Sequence, residues 1–275
     1  MNSIVNYFSH VPDSHRVILL AVCLIAFGNV ELLFSYKKSN HKLKHILNNM
    51  LFMLPAAPIQ FAIGLLVILT IKYTEQNHIG ILNMLPFKAN YLTSFIIGFV
   101  LLDFFEYVYH VIMHKVKRLW MFHLVHHSDR ELTVSTTLRE HPIETGLRLL
   151  FLVVWVFISG ISFWALLFRQ FIQIASNVFV HANFRINEKI DKVIATLFVT
   201  PNMHQVHHHF EQPFTDKNYG DVLSVWDRIF GTYITANASE LEFGVDTYFD
   251  RKENTNFATL IKIPFGKYRQ SSKKF

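Results

Sequence analysis

The sequence predicts an all-α integral-membrane protein whose bilayer-crossing helices carry a histidine-rich helical cap on the cytoplasmic side. Three observations lead there. Of 275 residues, 51% are hydrophobic and only 17% charged, with mean hydropathy +0.27, a balance poor for a water-soluble domain and suited to several buried spans. Long apolar runs alternate with short basic segments. Finally, eight of the 16 histidines gather in three tight clusters rather than spreading along the chain.

Taken in order, the first apolar run is Val17–Phe34, at the short end of a spanning helix, with Asn29 and Glu31 toward its far end. It lacks a strongly basic leader and a small-residue cleavage site, so it is expected to be a retained anchor. Lys37, Lys38, His41, Lys42, Lys44 and His45 follow, a basic loop that the positive-inside rule places in the cytoplasm. Residues 46–71 form a second run, with Pro55 and Pro58 expected to kink it. The two runs then make an antiparallel hairpin with both its ends outside. Residues 91–109 are a third span, returning to the cytoplasm just before Lys115, Lys117 and Arg118. Residues 147–180 are apolar apart from Arg169 and a few amides, and break near Ser159-Gly160-Ile161-Ser162. Each limb has about 14 to 18 residues, roughly 20–27 Å of helix, which fits two short spans or a re-entrant hairpin. Both readings return the chain to the cytoplasm at His181. Beyond Asn183 the chain is mostly polar, with turn signals such as Asp216-Lys217-Asn218-Tyr219-Gly220. This divides the chain into an N-terminal membrane hairpin (1–90), a histidine-bearing domain (91–235) and a C-terminal tail (236–275).

Several function classes drop out. The net charge of +6 lies in short loops and the tail, with no basic stripe interleaved with aromatics, so no nucleic-acid partner is expected and anionic lipid headgroups suffice. The single cysteine, Cys23, sits within an apolar run, leaving neither a disulfide framework nor a thiolate metal site.

The chemistry resides in the histidines. His110 and His114 form HxxxH; His123, His126 and His127 form HxxHH; His204, His207 and His208 form a second HxxHH, followed by His209. On a helix, positions i, i+3 and i+4 lie near one face, so each cluster can aim two or three imidazoles at one point. Neutral imidazole suits iron, zinc, copper and nickel, and a dinuclear site would use about eight to ten protein ligands. Two HxxHH clusters arise by chance in such a chain with a probability of roughly 0.1–0.2%, so the combination is a signal where HxxxH alone is not. His181 is an expected additional ligand, while His141 and His209 are left open. Lone histidines (His10, His15, His41, His45, His78) read as interfacial polar residues. Asp103, seven residues before His110 on the same helical face, is expected to orient its ring. Glu31 and Arg169 are assigned to packing or the interface.

These residues resemble the fatty acid hydroxylase/sterol desaturase superfamily over roughly residues 95–235. Asp103, Tyr107, His110 and His114 look like its first box. Leu119-Trp120 through His123-Leu124-Val125-His126-His127-Ser128 look like its second. Arg139-Glu140-His141-Pro142-Ile143-Glu144 is similar to its R-x-H-P-x-E element, and His181-Ala182-Asn183 to its H-x-N element. The third box reads His204-Gln205-Val206-His207-His208, then Asn218-Tyr219-Gly220 and Trp226-Asp227-Arg228. The extra His209 leaves open HxxHH or its one-residue shift. The resemblance implies a membrane helical domain with a cytoplasmic cap. It also implies a di-iron centre held by the boxed histidines and His181, with Asp103 and Asn183 supporting it, and O2-dependent hydroxylation or desaturation of a lipid. Hydroxylation is the simpler outcome.

Electrons must then come from an external donor, since the sequence has no Gly-rich dinucleotide fingerprint, no cytochrome b5-like segment and no Fe–S cysteines. A membrane zinc hydrolase is the first alternative. It would need a carboxylate general base, often in HExxH, and only Glu140 and Glu144 lie near a cluster. A metal-binding transporter would place its site near the bilayer midplane. An inactive scaffold would have no need of a full set of boxed histidines. Lys273-Lys274-Phe275 does not match a dilysine retrieval signal, which leaves a bacterial inner membrane and the endoplasmic reticulum as hosts.

Overall fold

The computed structural model describes residues 2–10, 13–37, 42–85, 90–248 and 250–270. Lys38 and His41 of the basic loop, and Lys273-Lys274-Phe275, lie outside the described residues. Every regular element among those described is helical. Five segments are long and apolar enough to cross a bilayer: Val17–Phe34, Leu43–Met84, Tyr91–Lys115, Pro142–Ser159 and Phe163–His181. The chain is thus an all-α, multi-pass membrane protein with clustered histidines.

Helices α1 (Asn2–His10) and α2 (Asp13–Phe34) come first. Phe8 of α1 stacks on Phe168, 4.8 Å between ring centroids. Ile18, Val22, Ile25, Leu32 and Leu33 of α2 point outward, a face that water would not tolerate and lipid does. The second run is not one kinked helix. It is broken at 51–52 into α3 (Lys42–Met50) and α4 (Met53–Gln76), with Phe52 buried at the joint. Pro55 falls in the first turn of α4, where its missing N–H costs nothing, while Pro58 lies inside the helix.

Helix α5 (Tyr91–Lys115) is capped by Asn90, whose Oδ1 accepts the Thr93 N–H at 2.9 Å. Its 25 residues run past the expected end at 109, because the hydrophobic-to-histidine boundary does not interrupt helical geometry. A one-residue turn at Val116 leads into α6 (Lys117–His127). The apolar hairpin resolves into α7 (Pro142–Ser159) and α8 (Phe163–His181), roughly 27 and 28 Å long, each able to cross alone. Beyond them lie the short α9 (Glu188–Ile194), α10 (Pro201–His207), α11 (Val225–Ile229), α12 (Arg251–Asn254) and α13 (Phe257–Leu260).

One end of the bundle gathers the cap. Glu31 near the end of α2 accepts N–H groups of Val134 and Asn183. His45 of α3 meets Asp129 at 2.8 Å, so it is part of a buried network rather than a lone interfacial residue. The starts of α3 and α7 and the ends of α2, α5 and α8 therefore share this side. At the far end, Gly80 (φ 104°) crosses Gly160 (φ 64°) so closely that a Cβ on Gly80 would lie 2.3 Å from the Gly160 nitrogen. Only glycine fits both the left-handed backbone and the contact. The segment set apart as a tail packs onto the cap: Leu241, Phe243, Val245, Tyr248, Leu260 and Ile263 are buried, in clusters shared with Leu132, Val206, Met121 and Leu124.

Candidate metal centre

Four helices deliver imidazoles to one buried volume. The last two turns of α5 carry His110 and His114, the last turn of α6 His123, His126 and His127, the end of α8 His181, and α10 with its cap His204, His207 and His208. They sort into two adjacent sets. His110, His114, His123, His127 and His207 form one, and His126, His181, His204 and His208 the other, with candidate ligand atoms in each within 4.8 Å of one another. Each HxxHH cluster sends two of its three rings to one set and the third to the other, within the expectation of two or three per point. Relative to residue i, position i+4 is rotated about 40° one way and i+3 about 60° the other. His123 and His127 therefore reach one set while His126 reaches the other; His204 and His208 join His126, and His207 crosses back. Stacked His127 and His208 rings, 4.5 Å apart at 18°, bring the two sets into contact.

The outer nitrogens are pinned. The Nδ1–H groups of His110, His126, His181 and His207 donate to the carbonyls of Tyr219 (2.9 Å), Arg139 (3.2 Å), Asn177 (2.7 Å) and Lys217 (2.7 Å). Nδ1 of His123 lies 2.6 Å from Glu144 Oε1, and that of His114 lies 3.3 Å from Asp216 Oδ1. A carbonyl only accepts, so the proton sits on Nδ1 and Nε2 keeps a bare lone pair turned inward. Lone pairs of this kind face one another between His126 and His181 at 3.1 Å and between His110 and His123 at 3.1 Å. Facing acceptors repel unless a cation lies between them. With metal–nitrogen bonds of about 2.0–2.1 Å, adjacent ligands of an octahedron stand roughly 2.9 Å apart, in line with these contacts. Nε2 of His114 and of His207, and both nitrogens of His127, are buried with no hydrogen-bond partner. The residues fit a pair of metal ions.

Burial, reinforced by neighbouring imidazoles, pushes His126, His127, His204 and His208 well below the usual histidine range, and burial takes His207 down to about 3. All five are neutral at ordinary pH, the form that binds metal.

Other expected residues sit elsewhere. Asp103 does not touch His110. Its carboxylate accepts from Val222 N, Leu223 N and Trp226 Nε1 (3.1, 3.2 and 2.8 Å), fixing the loop that presents the Tyr219 carbonyl. Asn183 clamps Lys37, its Oδ1 accepting the Lys37 N–H and its Nδ2 donating to the Lys37 carbonyl, rather than any histidine of the two sets. His141 caps α7, its Nδ1 accepting the Ile143 N–H at 3.1 Å. His209 Nδ1 accepts the Glu242 N–H at 3.1 Å. Neither joins a set, so the third cluster keeps the HxxHH register.

The carboxylates that do meet histidines of the two sets, Glu144 and Asp216, carried no such expectation. Glu144 stands at the third position of α7, and its contact with His123 follows from how α7 packs on α6. Asp216 is fixed by the loop that follows it. In that loop Asn218 is left-handed (φ 56°) and Asp227 accepts the N–H groups of Tyr219 and Gly220 at 2.7 and 2.8 Å. Behind the second set, buried Arg139 donates to Val125 O, Ser128 Oγ and Asn254 O. Asp129, which burial alone would raise, is held well below the carboxylate range by His45 and Arg139.

The profile of the Fatty acid hydroxylase family matches residues 95–232. Alkylglycerol monooxygenase of Homo sapiens is 30% identical over 150 residues, 51% of this chain and 30% of that protein. The Danio rerio alkylglycerol monooxygenase is 33% identical over 147 residues, 50% and 30% of the two chains. An ornithine lipid hydroxylase of Rhizobium tropici is 28% identical over 138 residues, 50% and 41%. The matched segment thus spans about a third of the length of these relatives. No solved structure matches the chain.

Proposed function

The chain belongs to the fatty acid hydroxylase family, and from that premise we propose that it is a membrane-bound, O2-dependent di-iron enzyme that hydroxylates the hydrocarbon chain of a lipid. The observation that carries this reading is the pair of adjacent buried histidine sets, five and four residues, with inward Nε2 lone pairs. An all-imidazole, neutral donor set suits iron(II) or zinc(II). Two such sites side by side suit the shared use of one O2. When bound, a di-iron pair supplies the oxidising power that an unactivated C–H bond requires and no side chain can provide.

This chain's own residues have three tasks. His110, His114, His123, His127 and His207 hold one iron, and His126, His181, His204 and His208 the other. Glu144, Asp216 and four backbone carbonyls fix the tautomers of six of the nine rings, so those donors are in place before metal arrives. The close-packed cap keeps bulk water from the centre. Hydroxylation places one oxygen atom in the C–H bond and releases the other as water, consuming two electrons and two protons from an external donor. Lys115 and Lys117, on the cap side, agree with a cytoplasmic centre under the positive-inside rule. Relatives named as monooxygenase and hydroxylase support hydroxylation over desaturation.

The test is expression under oxygen-18 gas followed by lipid mass spectrometry. A lipid that gains one labelled oxygen in cells carrying the wild-type chain, and not with His207→Ala, is the expected result. A lipid that only loses two hydrogens would replace hydroxylation with desaturation, and hydrolysed lipid without label would contradict the oxygenase reading.

A further inference from the structure

An open groove of about 610 Å³ lies on the cap side of the bundle, within the range of sites that take small molecules. Its walls are Leu54 at the start of α4, His141 and Ile143 at the start of α7, and Phe257, Ile261 and Phe265 from the C-terminal segment. We propose that this groove receives and selects the hydrocarbon chain of the substrate lipid, an inference that rests on the hydroxylase reading above.

The lining admits hydrocarbon and little else. Of nine lining residues only His141 has a polar side chain, and both its nitrogens are engaged, Nδ1 with the Ile143 N–H and Nε2 with the Ile261 carbonyl at 3.3 Å. A polar ligand would find no partner there. The open side is apolar too: Leu54 and Phe265 are 71% and 68% exposed, and the surface continues along α4 and α7 through Phe61, Leu65, Leu150 and Val154. These are faces of membrane-crossing helices, so the groove is continuous with the surface that lipid tails already cover.

Its wall is also the scaffold of the metal centre. Arg139 O accepts from His126 of one set, and Glu144 meets His123 of the other. Between those two residues, His141 and Ile143 turn to the groove. Phe122, the neighbour of His123, packs on His141 with ring centroids 5.2 Å apart. A chain seated in the groove therefore bears on the segment that orients one ligand of each set. Six of the nine lining residues (Leu51, Leu54, Pro55, Phe257, Ile261 and Phe265) fall outside the family match at 95–232. The metal chemistry is held in the matched segment, whereas chain selection falls to residues outside it.

The experiment uses the iron-loaded full chain in phosphatidylcholine nanodiscs containing a phosphatidylcholine with a mid-chain diazirine. Photolysis and peptide mapping should label 257–265 and the start of α4 at least fivefold above the outward face of α2. Ile261→Trp, which fills the groove, should cut that labelling at least fivefold. It should also lower hydroxylation of long-chain lipids about tenfold or move products to shorter chains, with iron content unchanged. Phe265→Ala, at a largely exposed side chain, should shift products toward bulkier chains. Labelling no higher in the groove than on α2 overturns the proposal. So does strong labelling with turnover and product chain length unaltered in both variants, which marks a bystander lipid. Labelled wild-type protein that makes no hydroxylated lipid overturns instead the hydroxylase reading, so the two fail separately.

Discussion

Glu144 is the carboxylate on which ring orientation in the first histidine set should depend most. Its Oε1 lies 2.6 Å from His123 Nδ1 with the His123 and Glu144 side chains 4% and 0% exposed. Hydrogen bonds to a charged group are worth about 1.5–3 kcal/mol, and each 1.4 kcal/mol is about a factor of ten in binding. Removing the carboxylate in Glu144→Ala should therefore weaken metal binding at that set by roughly 10- to 100-fold, the range known for residues that orient metal-binding histidines. Glu144→Gln keeps an oxygen for the Nδ1–H but loses the charge, and should fall between wild type and alanine. Arg148, 3.6 Å from Glu144 Oε1, retains Glu140 at 3.0 Å and Glu106 at 3.3 Å, so the variant does not strand a cation. Competition against a coloured chelator measures iron or cobalt affinity directly, with helix content by circular dichroism as the control. A folded Glu144→Ala protein that binds metal within twofold of wild type would refute the reasoning.

Four further outcomes follow from the geometry. His207→Ala should lose at least one metal per chain and all turnover, whereas His209→Ala should keep both, because only His207 belongs to a set; metal analysis of the two purified proteins decides it. Asp103→Ala removes the acceptor of three hydrogen bonds and should destabilise the cap by about 2–4 kcal/mol, seen as a lower Tm. Gly80→Ala forces a Cβ to within 2.3 Å of the Gly160 nitrogen and should sharply reduce the yield of folded protein in detergent. The metal-free protein should lose stability as pH falls. His207 and its neighbours are held far below the ordinary value of about 6.5, so below that pH the unfolded chain takes up protons the folded one refuses. Their contribution is complete above about pH 6.5 and is lost on acidification toward about 3, the folded value for His207. Thermal unfolding from pH 8 to 5 reads it, and a flat apo profile would contradict it.

Much of this was legible in the sequence because the determinants are local. Apolar runs of bilayer length mark the spans, and i, i+3, i+4 spacing marks the faces of α6 and α10. What escaped is what tertiary packing decides. That His126 leaves its neighbours for the second set depends on where α8 brings His181. Asp103 shares a helical face with His110, yet the nearby backbone N–H groups of 222 and 223 take its carboxylate first. The prolines were expected to kink the second run, and the chain breaks at 51–52, where Pro55 has no N–H to offer the carbonyl four residues earlier; that Phe52 is buried at this joint depends on packing. His45 lay in a basic loop with nothing to show that Asp129, 84 residues on, would meet it. The C-terminal segment carries no motif, and its role as a wall of the groove is visible only once it is folded against α6.

Metal analysis with Mössbauer spectroscopy on iron-57-loaded protein, purified from iron-supplemented cells, goes most directly to the assignment of the two histidine sets. Two irons per chain with a coupled di-iron spectrum are expected, falling to one or none in His207→Ala. Zinc alone after anaerobic purification and iron supplementation, or two uncoupled irons, would contradict the di-iron centre.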